Sequence, residues 1–414
     1  MAKIAVVGSG ISGLVCSYLL NQKHDVTLIE KNDYLGGHTH THHLNIEDQN
    51  FTVDTGFIVY NDRSYPNFMK LLARLGITGN PSQMSFSVRD DNINLEYNGH
   101  TINSLFAQRL NIIRPSFHRM VRDILKFNKE AKLIDANEKA TLGEFLDKNQ
   151  YSKEFQNNYI LPMAAAIWST GDSNVKDFPV RSLSDFFLNH GLLDLKNRPQ
   201  WYVVNGGSNA YIKPMVEQLE KIRLNTPVTG ITRQKDHVEI QFQDESGPQI
   251  ENFDQVILAC HSDQALSLLT DVTTTEKEVL EGITYTPNRA YLHTDANLLP
   301  KRPLAWASWN YNLSSDTSHQ ATLTYNMNIL QHIKTKTPIL VTLNSDKIDP
   351  TKIIETFDYS HPFYNHKALA SQHRHHEISG VDRTHYCGAY WSYGFHEDGV
   401  KSALRVCETF GVGL

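Results

Sequence analysis

The sequence predicts an α/β fold: a Rossmann-like nucleotide-binding domain assembled discontinuously, with an α+β domain inserted between its parts. Three observations predict it. An apolar run, Ile4-Ala5-Val6-Val7, leads directly into Gly8-Ser9-Gly10-Ile11-Ser12-Gly13 and a helical pattern through Leu14, Tyr18 and Leu19. A second apolar run, Val26-Thr27-Leu28-Ile29, ends in Glu30. Strand and glycine-turn patterns of the same kind then return only in the second half of the chain, after a long helical stretch.

The first element is a complete dinucleotide fingerprint: strand, glycine turn, helix, strand, acid. Gly8 suits the tight turn, and Gly10 leaves room for a pyrophosphate. Gly13 lets the helix lie close on the strand. The helix start, at Ser12, offers free N–H groups and a partial positive charge to phosphate. Glu30 falls where a carboxylate accepts from ribose hydroxyls. Residues 103–195 read as helical, with breaks at Pro115, Pro162 and Pro179. Gly206-Gly207-Ser208-Asn209 then opens a predicted helix through Tyr211, Met215, Leu219 and Ile222. The alternating runs 227–232 and 237–242 read as a hairpin turning at Lys235-Asp236. Val256-Ile257-Leu258-Ala259 reads as a buried strand, and residues 284–375 mix strands and loops. The chain returns to strand, glycine turn and helix from Tyr386 to Phe410, with the last helix predicted to start near Gly399. These boundaries place 1–80, 205–283 and 376–414 in the nucleotide-binding domain. The inserted domain takes 81–204 and 284–375.

Composition sets outer limits. At 414 residues, 40% hydrophobic and 20% charged, the chain has ordinary globular composition and enough length for two or three domains' worth of core. The formal net charge of −6 gives no reason to expect nucleic acid. No apolar run approaches the ~18 residues a membrane span needs. Cys16, Cys260, Cys387 and Cys407 share no C-x-x-C spacing, so reduced thiols and a cytoplasmic location are expected. His38, His40, His42 and His43, and later His373, His375 and His376, match no metal-site spacing, and no metal is expected. Residues 105–132 carry seven Lys or Arg against two acids, with Phe117, Met120, Val121, Ile124 and Phe127 at helical spacing. That segment reads as a core helix with a solvated face, or as a peripheral contact with an anionic membrane.

Several motifs together resemble one superfamily. Glu30-Lys31 followed by Gly36-Gly37 and His38 resembles the second signature of FAD-binding flavoproteins of the amine oxidase and phytoene desaturase type. Val53-Asp54-Thr55-Gly56-Phe57, Val228, and Phe253-Asp254-Gln255-Val256-Ile257-Leu258-Ala259 resemble further segments of these proteins in the same order. So does the terminal Gly394-Phe395-His396-Glu397-Asp398-Gly399-Val400. The resemblance implies non-covalent FAD. It implies cofactor contacts from Lys31, Gly36, Gly37, His38, Asp54, Thr55, Gly56 and Val228. It also implies a last helix, at Glu397, Asp398, Gly399 and Val400, directed at the flavin's pyrimidine edge.

The runs Ala166-Ile167-Trp168-Ser169 and Trp306-Ala307-Ser308-Trp309-Asn310-Tyr311 narrow the resemblance. They are similar to bacterial amine oxidase-like proteins related to furan fatty acid desaturases, and to the flavoprotein domain ahead of plant cyclopropane fatty acid synthases. This implies dehydrogenation of a C–C bond in a lipid acyl chain, a chain methylated beforehand by a partner enzyme being one form of that substrate. Amine oxidation is the enzymatic alternative. A flavin-bearing, non-catalytic partner of a fatty acyl methyltransferase is the alternative of another class. Typical amine oxidases of this type hold a lysine near flavin N5. The corresponding strand, Tyr285-Thr286-Pro287-Asn288-Arg289-Ala290-Tyr291, has none, and Asn288 stands nearest its place. Trp309, Tyr311, Trp391 and Tyr393 are candidate pocket residues, and Tyr393 and His396 candidate bases.

Overall fold

In a computed structural model the chain is described over residues 1–169, 175–313 and 322–414. At its centre is a five-stranded parallel sheet, ordered Lys221–Arg223, Asp25–Ile29, Lys3–Val7, Gln255–Leu258, Thr384–Tyr386. Its inner strands are apolar on both faces and buried on both. The helices Ile11–Leu20 and His396–Thr409 pack on one side with Cys16, Cys387 and Cys407 in their core. The meander Val228–Arg233, Val238–Asp244, Gly247–Phe253 closes the other side.

The second body is a seven-stranded sheet ordered Ile353–Phe363, Thr284–His293, Leu340–Leu343, Leu323–Asn326, Trp309–Leu313, Phe86–Asp90, Leu95–Asn98. Its pairs are antiparallel except Trp309–Leu313 with Phe86–Asp90. A helical layer covers it, including Pro115–Glu130, Leu161–Trp168 and Val180–Asn189. The small sheet Tyr60–Asn61, Trp201–Val204, Gly79–Ser82 ties the end of the helical stretch back to the first segment. The fold is the expected one: a discontinuous Rossmann-like domain with an inserted α+β domain.

Three local expectations change. Ile222 is not helical: the helix stops at Val216, and Lys221–Arg223 becomes the sheet's edge strand. Three residues are too few to show a period, and pairing with Asp25–Ile29 decides their conformation. Pro162 does not break its helix. A π-helical turn, Gln156–Ile160, precedes Leu161–Trp168 and shifts the register where Pro162 lacks an N–H. The last helix starts at His396, three residues before Gly399, because the Asp398 carboxylate accepts from the Phe395 N–H at 3.0 Å and caps it. In Pro115–Glu130, Phe117, Met120 and Phe127 are buried in the helical layer, so this is a core helix. Among the described residues no helix is long and apolar enough to cross a membrane.

Candidate functional site

The two bodies enclose one cavity of ≈ 840 Å³. Its first half is built by the fingerprint. Gly8 turns the chain at φ +103°, and its N–H donates to Ile29 O. A Cβ on Gly13 would stand 1.9 Å from Gly8 O, so Gly13 is required by helix–strand packing. Gly10 is different. It has φ −63° and ψ 175°, which any L-residue adopts, and an added Cβ meets no protein atom within 4 Å. Protein packing therefore does not explain this glycine, whereas a ligand crossing the helix N-terminus does. The paired glycines lie on the same turn: Gly36 N–H donates to Ser9 O, and Gly36 bridges Gly10 in parallel fashion. The Glu30 carboxylate accepts from the Ser9 N–H (2.9 Å), Ser9 Oγ (2.7 Å) and Asn32 N–H (3.0 Å), so it anchors the turn as well as facing the cavity.

Gly8, Gly10, Ser12, Glu30 and Lys31 line this half, as do Gly36, Gly37, His38, Gly56 and Val228. The remaining cofactor candidates do not line it, and each has another partner. Asp54 accepts from Thr41 Oγ1 (2.6 Å), from Ser208 N and Oγ, and from Gln331 Nε2, which locks the hairpin Thr41–Ile46/Gln49–Asp54 to the rest of the chain. Thr55 bonds to Tyr359 OH and His42 Nε2. The Glu397 carboxylate is taken by Asn67 N–H, Asn67 Nδ2 and Phe68 N–H, the start of helix Pro66–Arg74. Asp398 caps its own helix, and burial pushes its carboxyl up to about 6. Gly399 and Val400 are buried against the first helix, where a Cβ on Gly399 would stand 2.6 Å from Ile11 Cγ2.

Where the halves meet, the cavity is ringed by histidines. His38 follows the glycine pair. Its Nε2 is buried with no partner among the described residues, and burial, then His261, pulls its pKa down to about 4. His261 and His361 face it across 6.0 and 5.6 Å. Burial holds His261 at about 4 and His361 at about 3. His396 is stacked on Phe57 at 3.5 Å, with Nε2 bonded to Thr39 Oγ1 (3.0 Å) and Tyr211 OH (2.9 Å). Burial holds its pKa far below the usual histidine range, and that nitrogen is already engaged. Burial raises Tyr393 to about 12, so it stays protonated. Asn288 lies behind the wall and bonds His361 Nδ1 at 3.0 Å. The position nearest the expected lysine thus orients an imidazole.

The second half is an aromatic chamber walled by Phe86, Tyr97, Tyr159, Trp309 and Tyr325 and by Met163. Trp309 lines it. Tyr311 and Trp391 do not: Tyr311 is buried in the helical layer, and Trp391 packs on His375 and Tyr390. Sequence reasoning missed Tyr97, Tyr159, His261, Tyr325 and His361. They come from separate elements, and none has a local pattern to mark it. Among the described residues no group of three or more His, Cys, Asp or Glu side chains is placed to hold a metal, and all four cysteines are free thiols.

A Rossmann-like domain with an inserted α+β domain and a glycine-lined cleft opening into an aromatic chamber defines a nucleotide-dependent oxidoreductase fold. The chain belongs to the flavin containing amine oxidoreductase family, whose model matches residues 11–324. Solved structures share the whole architecture. The CLA-producing fatty acid isomerase from P. acnes is 16% identical, with TM-score 0.70, and covers 99% of this chain and 98% of its own. Cyclohexylamine oxidase from Brevibacterium oxydans is 13% identical, with TM-score 0.68, and covers 99% of both. A wild-type putrescine oxidase bound to putrescine is 14% identical, with TM-score 0.68, and covers 99% of both. These likenesses show the fold. A comparison with curated protein sequences gives no match.

The protein is therefore an FAD-dependent enzyme of this family, with the cofactor held non-covalently. The residues present fit that group. The helix N-terminus at Ile11 and Ser12 faces the cleft, Gly10 leaves an open approach, and Glu30 stands at the end of the second strand. Besides His38 Nε2, the buried hydroxyls of Tyr364 and Tyr390, on residues that line the cavity, have no partner among the described residues.

Proposed function

We propose that the protein oxidises an amine bearing an apolar substituent. Bound FAD supplies an acceptor for two electrons. The substrate loses a hydride equivalent from the carbon next to nitrogen and a proton from nitrogen. The resulting imine hydrolyses to a carbonyl compound and an amine or ammonia.

One observation carries this reading: four buried histidines of the cavity wall are weak bases. His38, His190 and His261 sit at about 4, and His361 at about 3. Removing a proton from an alkyl carbon, as acyl-chain dehydrogenation requires, needs a strong base beside the reacting carbon. Amine oxidation needs no such base, because the nitrogen lone pair stabilises the developing cation once the amine enters neutral. A chamber of aromatic and thioether groups disfavours the ammonium form by desolvation and so supports that entry. The chain's residues exclude water, orient the substrate between aromatic walls, and keep the ring of imidazoles uncharged. The family's description points the same way.

The second reading is the acyl-chain dehydrogenation implied by the desaturase resemblance, with a methyltransferase as partner. The observation favouring it is the same apolar chamber. Anaerobic mixing of the holoprotein with primary amines of increasing alkyl length, and separately with dispersed acyl lipids, tests both. Bleaching of the flavin band by amines alone supports amine oxidation. Bleaching by acyl lipids alone overturns it.

A further inference from the structure

We propose that the surface formed by residues 99–114 docks on an anionic lipid bilayer and brings the mouth of the aromatic chamber against it. This inference goes beyond the proposed function and rests on that reading only in taking the chamber as the substrate site.

The surface is built by short local devices. Thr101 caps helix Ile102–Leu105, its side chain accepting from Ser104 N–H and the Ser104 hydroxyl accepting from Thr101 N–H. A 3₁₀ turn, Arg109–Ile113, follows. Inside, Gln108 and Asn111 are buried and bond the backbone of Glu96 and Asn94. The scaffold is therefore pinned. Outside, it presents Ile102 (80% exposed), Leu110 (60%), Ile112 (52%) and Ile113 (76%). Four large aliphatic side chains this exposed within twelve residues form a patch, not scattered surface apolarity.

Charge identifies the occupant. From Tyr97 to Arg122 the chain has four arginines and no acid, on a protein of net charge −6. Among the described residues Arg109 bonds Asn103 and the Phe106 carbonyl, Arg114 bonds the Asn94 carbonyl, and neither meets a carboxylate. Aliphatic side chains among unpaired arginines match a bilayer with anionic headgroups. Position gives the surface a purpose. Gly99 and His100 are exposed and also line the cavity, so the chamber opens beside the patch. Arg119 is paired with Glu154, and Lys126 lies over Tyr151 and bonds the Asn149 carbonyl, so the core helix contributes less than its charge count implies.

The test is co-sedimentation of the holoprotein with vesicles of phosphatidylcholine alone and of phosphatidylcholine mixed with phosphatidylglycerol. Wild type is expected to sediment with the mixed vesicles only. R109Q/R114Q is expected to lower partitioning about thirty-fold, and I102S/I113S to abolish it. All four side chains are exposed or half-exposed, so an unchanged flavin spectrum reports an intact fold in both variants. No sedimentation of wild type, or variants that sediment like wild type, overturns the proposal. So does a concentration-dependent dimer, lost in I102S/I113S, without vesicle binding. Failure of the proposed chemistry reads out separately, as flavin that no amine bleaches while vesicle binding persists.

Discussion

Gly10 and Gly13 differ in what excludes a side chain, and substitution separates them. Gly10→Ala places its Cβ where no protein atom lies within 4 Å, on a backbone that alanine adopts freely. Losing glycine's unfolded-state entropy stabilises by ~0.4–1 kcal/mol, and replacing glycine at the helix N-cap costs about as much. The apoprotein should therefore change by less than ~1 kcal/mol. Cofactor binding should not survive so well. A methyl group over the helix N-terminus holds the pyrophosphate back and lengthens two or three charge-assisted hydrogen bonds. Each is worth ~1.5–3 kcal/mol, and losing even the equivalent of two weakens FAD affinity by roughly a hundred-fold or more. Gly10→Val should abolish binding. Gly13→Ala puts its Cβ 1.9 Å from Gly8 O and must displace backbone, so that protein should not fold. The assay is urea unfolding of flavin-stripped protein together with FAD titration by fluorescence quenching. Gly10→Ala with wild-type FAD affinity would refute the placement of the pyrophosphate at this turn.

Two further predictions follow from buried groups. Glu30→Ala removes the acceptor of Ser9 N–H, a fully buried residue, so it should destabilise the apoprotein by ~1–3 kcal/mol and weaken FAD further. Equal apoprotein stability by urea unfolding would show that the anchor is dispensable. Stability should also fall with acid between pH 6.5 and about 4. His38, His261, His293, His375 and His385 sit at about 4 folded against the ordinary histidine value of 6.5, so the unfolded chain binds more protons across that window. Each group contributes up to ~3 kcal/mol that is present above pH 6.5 and lost by about pH 4. Asp54 and Asp398, raised to about 6, act in the opposite sense but are fewer. Urea midpoints that stay flat from pH 7 to 4.5 would contradict the buried, neutral state of these imidazoles.

What the sequence made legible is what neighbouring residues decide. The fingerprint, the Glu30 strand end, the hairpin at 228–244 and the buried strand Gln255–Leu258 each carry their period and turn residues within a short window. The chamber does not. Tyr97 sits on a strand, Tyr159 on a π-helical turn and Tyr325 on another strand, and only tertiary packing brings them together. The same limit explains Tyr311 and Trp391, aromatic residues in the right motifs whose rings point into cores. It also explains Glu397, a carboxylate beside a cofactor motif that instead caps a helix 330 residues earlier in the chain. The basic segment showed its charge in sequence. Which of its arginines find acids, and which aliphatic side chains stay outside, only the tertiary structure shows.

The discontinuity of the nucleotide domain has a physical purpose at Ser12. Its hydroxyl donates to Gly399 O at 2.9 Å, and the glycine at 399 admits this approach. Two helices nearly 400 residues apart in sequence are thereby held with their N-terminal turns side by side, and Ile11, Ser12 and His396 from those turns all reach the cavity. Each turn carries a partial positive charge from its free N–H groups; in the second turn Asp398 accepts from the Phe395 N–H, and Glu397 is taken by Asn67 and Phe68. A cofactor with a pyrophosphate at one end and a ring that gains negative charge on reduction at the other satisfies both ends at once. Bound FAD should therefore stabilise the folded protein by RT ln(1 + [L]/Kd) and raise its thermal midpoint as its concentration rises.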